Sequence, residues 1–272
     1  MIQLEAVSKL FANEETGQVV QALQDVDLVV EENEFVCLLG PSGCGKSTLL
    51  NLVAGFERPS SGRVLFGRKP VRAAGPERAV VFQEPTLFPW LTVEQNVEFG
   101  LRNLGVGRAE RKEMSRRFVS LVGLAEFARA RPHQLSGGMK QRVQLARVLA
   151  LNPRALLMDE PFGSLDAQTR DRLQDQLLDI WENHRKTVLF VTHNVEEAVY
   201  LADRVAVLAP APDGITADVP IAIPRPRDRY ASEMREATMA LIAVLADLPC
   251  CVLPSGTPGG APVREPSTTM PG

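Results

Sequence analysis

Apolar residues gather along the chain in short continuous runs separated by polar or glycine-rich breaks, and such runs predict strands in a buried core. The clearest is 35–39, Phe-Val-Cys-Leu-Leu, which leads into a glycine-rich turn. Runs at 79–82, 155–158, 187–191 and 204–208 read the same way. Near the start, Ile2, Leu4 and Ala6 alternate with polar neighbours, and 22–30 opens on the same alternation, so two further strands with one buried face are predicted. After the turn, Leu49, Leu50, Leu52, Val53 and Ala54 follow Lys46 and predict a buried helix that Gly55 stops. Helical patterns lie between the later runs. Strand and helix therefore alternate, as an α/β fold with a parallel sheet requires.

The alternation lapses in the middle. Stretches 93–104, 108–122 and 137–150 are all helical in pattern with no strand between them, which predicts a helical insertion over about 93–150. In the helix expected after Asp166, Leu173, Leu177 and Ile180 share one face with Trp181 beside them, and core packing accounts for that stripe. Residues 249–272 are rich in Pro, Gly, Ser and Thr without an apolar period, so one domain over 1–248 and a disordered tail are expected.

Composition narrows the class. With 45% hydrophobic and 23% charged residues among 272, the chain is globular in make-up and long enough for a sizeable core. The longest apolar stretch, 239–246, falls far short of the roughly 20 residues of a spanning helix, so no membrane crossing is expected. The opening Met1-Ile2-Gln3-Leu4-Glu5 has neither the basic nor the apolar region of a secretory signal. A net charge of -3 argues against a protein that coats nucleic acid. Cys37, Cys44, Cys250 and Cys251 lack the spacing of a metal site or a disulfide framework, so reduced thiols in a cytoplasmic setting are expected.

Three segments carry chemistry. Gly40-Pro41-Ser42-Gly43-Cys44-Gly45-Lys46-Ser47-Thr48 fits the phosphate-loop pattern G-x-x-x-x-G-K-[ST] between a predicted strand and a predicted helix. Small residues let successive backbone N–H groups wrap a phosphate chain, the helix N-terminus adds partial positive charge, and Lys46 reaches the outer phosphates. Ser47 suits a Mg²⁺ ligand. Chance produces this pattern in about one chain of this length per hundred, before its strand and helix context is counted. Ala155-Leu156-Leu157-Met158-Asp159-Glu160 is an apolar strand ending in two carboxylates, Asp159 suited to hold Mg²⁺ and Glu160 to orient the attacking water; solvated acids at a strand end are the plainer reading. Leu135-Ser136-Gly137-Gly138-Met139-Lys140-Gln141-Arg142 opens a helix with Ser136 as N-cap, either a second anion site or simply a capped helix.

In chain order these elements resemble the ATP-binding cassette (ABC) ATPases: the phosphate loop, Gln83 after a strand, Leu135-Ser136-Gly137-Gly138 before a helix, Asp159-Glu160, Ser164-Leu165-Asp166, and His193 after a strand. The resemblance covers about residues 2–248. Val81-Phe82-Gln83-Glu84, Leu87-Phe88-Pro89-Trp90, Asp159-Glu160-Pro161-Phe162-Gly163 and Glu196-Glu197-Ala198 look most like the ATPase subunits of bacterial nitrate/sulfonate/taurine importers. The fold this implies is the α/β P-loop NTPase nucleotide-binding domain, with an antiparallel β subdomain and a helical insertion. The function it implies is hydrolysis of ATP with Mg²⁺ to power uptake of a small solute through a separate membrane permease, fed by a separate binding protein, at the cytoplasmic face of the inner membrane. A soluble ABC ATPase acting on nucleic acid or ribosomes is the alternative. Such relatives carry paired cassettes, a long coiled coil or zinc-binding cysteines, none of which is visible here.

The resemblance also implies roles. A head-to-tail homodimer would sandwich two ATP molecules, each between the phosphate loop of one chain and Ser136, Gly137 and Gly138 of the other. Residues Gly40, Pro41, Ser42, Gly43, Cys44, Gly45, Lys46, Ser47 and Thr48 would cradle the phosphates; Ser47 and Gln83, with Asp159, would hold Mg²⁺. Glu160 would polarise water, His193 would keep the γ-phosphate and Glu160 in register, and Asp166 would report on the opposite site. Phe11 stands where the family has a ring against adenine, with a core phenylalanine as the other reading. Trp90, in the apolar Leu87-Phe88-Pro89-Trp90-Leu91, either packs into its own helical insertion or lines a groove for a cytoplasmic helix of the permease. The sequence departs from the family at Asn194, where Asp is common, and at Met139, where Gln is common.

Overall fold

The computed structural model describes residues 1–13, 17–163 and 165–248. The expected tail at 249–272, with Cys250 and Cys251, and Ser164 of the Ser164-Leu165-Asp166 motif lie outside the described residues. The strands are β1 (Ile2–Ala12), β2 (Val19–Val30), β3 (Phe35–Leu39), β4 (Ser61–Phe66), β5 (Lys69–Pro70), β6 (Arg78–Val81), β7 (Ala155–Asp159), β8 (Thr187–Thr192), β9 (Arg204–Leu208) and β10 (Ile215–Pro220). The helices are α1 (Lys46–Ala54), α2 (Val93–Asn103), α3 (Arg108–Leu121), α4 (Gly137–Ala150), α5 (Ala167–His184), α6 (Val195–Leu201) and α7 (Ser232–Ala246).

Six strands form one sheet in the order β10-β9-β3-β8-β7-β6, parallel except for the antiparallel edge pair β9–β10. Its inner strands are apolar through their middles because both faces are covered. The twofold period of a strand divides their side chains between two cores. Phe35, Cys37 and Leu39 face a cluster built with α4, α5, α6 and α7, whereas Val36 and Leu38 face one built with α1 and the second sheet. That second sheet is antiparallel, in the order β2-β1-β4-β5, and α1 packs against strands of both sheets.

The predicted alternation at the start of β1 fails at its third member. Ala6 is exposed at φ 47°, and the register of β1 against β2 shifts between Leu4 and Val7, so Val7 enters the core instead. A bulge of this kind re-aims every side chain beyond it. The strands β4, β5 and β10 and the full length of α7 had no counterpart among the predicted elements. Between β6 and β7 the chain forms α2, α3 and the start of α4 around a separate apolar cluster that includes Val97, Leu101, Val119 and Val143. The opposite face of α4 carries Leu145, Val148 and Leu149 into the main core, so this helix joins the two.

Parallel pairing aligns the C-terminal ends of β3, β6, β7 and β8. Leu39 lies beside Thr192, Asp159 beside Val191, and Val81 beside Met158. The residues that follow these strands, at 40–48, 83, 160 and 193, therefore emerge on one edge, where open α/β sheets bind ligands.

Candidate functional site

The phosphate-loop residues turn tightly from β3 into α1. Gly45 caps α1 at φ 101°, and a Cβ there would come within 2.5 Å of the Ala22 carbonyl oxygen, so only glycine fits. Lys46 is buried at 5% exposure, and its Nζ donates to the carbonyl oxygens of Gly40 and Pro41 at 2.8 Å each. The ammonium thus lies under the loop it serves, with Cys44 Sγ 3.9 Å away. Cys44 itself is a small buried filler in the loop.

Ser47 is exposed at the mouth of the loop, and its hydroxyl donates to Asp159 Oδ1 at 3.1 Å. Burial pushes the Asp159 carboxyl up, with the neighbouring Glu160 adding to the shift and the Ser47 hydrogen bond opposing it. Hydroxyl and carboxylate together form an all-oxygen pair, chemistry that suits a hard divalent cation completed by phosphate oxygens. Among the described residues no cluster of three His, Cys, Asp or Glu exists that would hold a metal unaided.

Glu160 has φ 42°, a left-handed backbone unusual for a glutamate, and its amide is tied to the Val191 carbonyl at 3.0 Å. This turn brings Glu160 Oε2 within 3.0 Å of His193 Nδ1. The Glu160 side chain is 19% exposed and that of His193 57%, so the pair stands at the rim with one end in solvent. Gln83 is brought to the same place: a Cβ on Gly163 would lie 3.6 Å from Gln83 Nε2 and 3.7 Å from Glu160 Oε2.

Ser136 caps α4, its hydroxyl accepting from the Met139 amide at 3.3 Å. Ser136 and Gly137 are exposed, while Gly138 packs so closely on α5 that a Cβ would meet Thr169 Cγ2 at 2.7 Å. One turn further on, the buried Gln141 donates through Nε2 to the carbonyls of Gln83 at 2.8 Å and Pro161 at 2.6 Å. Gln144 donates to the Phe82 carbonyl at 3.0 Å and accepts from the Thr86 amide at 3.1 Å. The helix that opens at Ser136 therefore grips both the Gln83 loop and the turn after Glu160. Sequence reasoning missed these two glutamines; the signal was a pair of amides three residues apart on an otherwise apolar face.

The family model for ABC transporters matches residues 23–163, just over half of the chain. An uncharacterized ABC transporter ATP-binding protein of Methanocaldococcus jannaschii is 50% identical over 90% of this chain and 91% of its own. The chain belongs to the ABC transporter family. It is an ABC ATPase with an ATP site. The nitrate import ATP-binding protein NrtD of Synechocystis is 47% identical over 81% of this chain and 84% of its own. Among solved structures, the dimeric ATP-binding cassette MJ0796 in a post-hydrolysis state with ADP and Pi superposes with a TM-score of 0.72 at 32% identity, covering 82% of this chain and all of that one.

The remaining expected residues are spread around this ABC cassette. Phe11 lies on β1 at 40% exposure with Lys9 Nζ 4.7 Å from its ring centre, so it is not a core phenylalanine. Asp166 is the N-cap of α5, its Oδ1 accepting from the Thr169 amide at 3.0 Å; that hydrogen bond holds its carboxyl below the usual range. Trp90 is 67% exposed and leans on Phe88, which packs on Phe99 with ring centres 4.3 Å apart. The apolar loop is thus anchored in its helical surroundings through Phe88, while Trp90 faces outward.

Proposed function

We propose that this cassette is the ATP-hydrolysing subunit of an importer for a small solute of the nitrate, sulfonate or taurine kind. It works as a head-to-tail homodimer beneath a separate membrane permease, at the cytoplasmic face of the membrane, with residues 1–248 as the ATPase domain and 93–150 as its helical part. The observation that carries this reading is a mismatch between two anion-binding elements of one chain. The phosphate loop is a partly buried cradle, whereas Ser136 and Gly137 present an exposed helix N-terminus at the surface of the chain. The triphosphate held by a second copy would cover it. The likeness to a nitrate import subunit supports the choice of solute, and the exposed Trp90 supports a docking groove for the permease.

The amides of 40–48 wrap the phosphates, and Lys46 exchanges the carbonyls of Gly40 and Pro41 for β- and γ-oxygens. Ser47, Gln83 and Asp159 would hold Mg²⁺, which when bound would supply charge neutralisation to the phosphates. The Glu160 carboxylate only accepts, so at 3.0 Å His193 Nδ1 is the donor of that contact, and Nε2 reaches a γ-phosphate oxygen as a second N–H donor, in the doubly protonated ring. Glu160 Oε1 is then the oxygen that orients water and takes its proton. Phe11 stacks on adenine, and Ser136, Gly137 and Gly138 of the partner close the far side of the γ-phosphate. Asp166, at the start of α5, senses the opposite site.

The test is assembly. Glu160→Gln removes the base and keeps the acceptor, so with ATP and Mg²⁺ this variant should elute as a stable dimer while wild type returns to monomer. A monomer under all nucleotide conditions contradicts the reading.

A further inference from the structure

Polar contacts beneath His193 extend far beyond the nucleotide edge. The Asn194 amide donates to Thr192 Oγ1 at 3.0 Å, and Asn194 Oδ1 accepts from the Glu197 amide at 3.0 Å. The Thr192 hydroxyl donates to Glu197 Oε2, closing a ring of three hydrogen bonds around the backbone of His193. Glu197 is 7% exposed, and its Oε1 accepts from Nε2 of the fully buried Gln174 at 2.8 Å. Gln174 Oε1 accepts in turn from Arg229 Nη1 at 2.6 Å. Only one orientation of the Gln174 amide serves both neighbours, since the carboxylate can only accept and the guanidinium can only donate.

Arg229 belongs to the segment between β10 and α7, remote in sequence from every nucleotide motif. Its Nη2 donates to Asp175 Oδ1 at 2.7 Å, and its guanidinium lies 3.4 Å from the centre of the Tyr200 ring. Arg227, two residues earlier, is buried and donates to the carbonyls of Val199, Tyr200 and Ala202, where α6 ends. One short segment thus fastens α6 at its C-terminus and, through Gln174 and Glu197, at the end that holds His193. A cavity of about 650 Å³ between α5, α6 and α7 borders this line and is also lined by Arg235. Gln174 and Glu197 are buried and Arg229 is half-buried, so the joined groups leave little slack, because each would lose its partner if the next one moved.

We propose that Gln174, Glu197 and Arg229 are positioning residues that hold His193 against Glu160, so the segment before α7 sets the turnover rate without touching nucleotide. The proposal rests on the role given to His193 above. Loosening the line lets the histidine drift and slows hydrolysis, because a misplacement of about 1 Å at a reacting centre costs up to a hundredfold. ATP affinity stays as it was, since the phosphate loop lies outside the line.

The experiment measures steady-state ATP turnover and thermal midpoint for the full chain and five variants. Gln174→Leu and Arg229→Gln should each lower kcat about tenfold at a temperature well below either midpoint, with the KM for ATP close to wild type; the Tm of Gln174→Leu falls because the buried Glu197 carboxylate loses a donor, while that of Arg229→Gln stays closer to wild type. Arg229→Lys should recover part of the loss, because it keeps a donor for Gln174 without the fork. Arg235→Ala, on the cavity wall and outside the line, should match wild type. Wild-type kcat in both Gln174→Leu and Arg229→Gln overturns the proposal, as does a fall in kcat that merely follows a fall in Tm. If Gln174→Leu does not fold, the Arg229 pair decides alone. His193→Ala separates the two levels. Full turnover in that variant removes the role of His193 itself, whereas an inactive His193→Ala beside an active Gln174→Leu removes only the positioning line.

Discussion

The C-terminal edge of the parallel sheet and the N-terminus of α4, the two proposed anion sites, differ in completeness. At the sheet edge, Lys46 bonds the Gly40 and Pro41 carbonyls at 2.8 Å, Ser47 bonds Asp159 at 3.1 Å, and His193 meets Glu160 at 3.0 Å. At α4, Ser136 is satisfied by its own helix and faces outward. The edge owes its order to strands buried on both faces, whereas Ser136 sits on a helical part with its own small core. In the proposed dimer the first region does its chemistry within one chain, and the second acts only on the nucleotide of a partner.

The comparison breaks most severely if the sheet edge does not need its lysine. Lys46→Ala removes the buried ammonium, and nucleotide affinity should fall about a hundredfold or more, as read by equilibrium binding of a fluorescent ATP analogue. Unchanged affinity would mean that the loop binds through its backbone alone. Ser136→Arg should do the reverse: affinity of the isolated chain for ATP is retained, while turnover of the dimer falls by about a hundredfold. Loss of nucleotide affinity in that variant would place Ser136 in the site of its own chain.

A smaller effect sharpens the comparison at the level of packing. Leu101 is 1% exposed in the helical cluster, and Leu101→Ala should cost about 3 kcal/mol of local stability. Turnover should fall with it while ATP affinity holds, and hydrogen exchange should rise in α2 and α4 before it rises in β3 or β8. Uniform exchange through both regions would show that they unfold as one. The smallest effect is expected at Phe11. In its proposed place against adenine, the exposed ring would contribute about 1 kcal/mol of stacking, so Phe11→Ala should weaken ATP about fivefold without altering kcat.

What could be read beforehand divides along the same physical lines. The runs that became β3, β7, β8 and β9 were legible because strands covered on both faces are apolar through their middles. Helix α4 was predicted with its observed limits since Ser136 supplies a cap and an apolar stripe follows. Strand β4 was not, because only Val64 and Phe66 of its six residues are buried. Edge strand β10 alternates half-buried and exposed positions, and α7 buries only Met234 and Leu241, so neither leaves a firm pattern. At the site, the motif residues were legible one by one. The resemblance already set His193 beside Glu160, but the geometry of that contact was not legible, because it depends on a backbone turn at φ 42° and on the pairing of two strands distant in sequence. Glu197 follows Asn194 at the spacing of a helix-capping pair, yet its carboxylate turns away from the cap to Thr192 and Gln174.

The shared site is tested most directly by the atomic structure of the Glu160→Gln chain with ATP and Mg²⁺. The expected result is two nucleotides per dimer, each wrapped by residues 40–48 of one protomer with the Ser136 hydroxyl of the other in hydrogen-bond range of its γ-phosphate. Nucleotide enclosed by a single protomer, with the second Ser136 facing solvent, would contradict it.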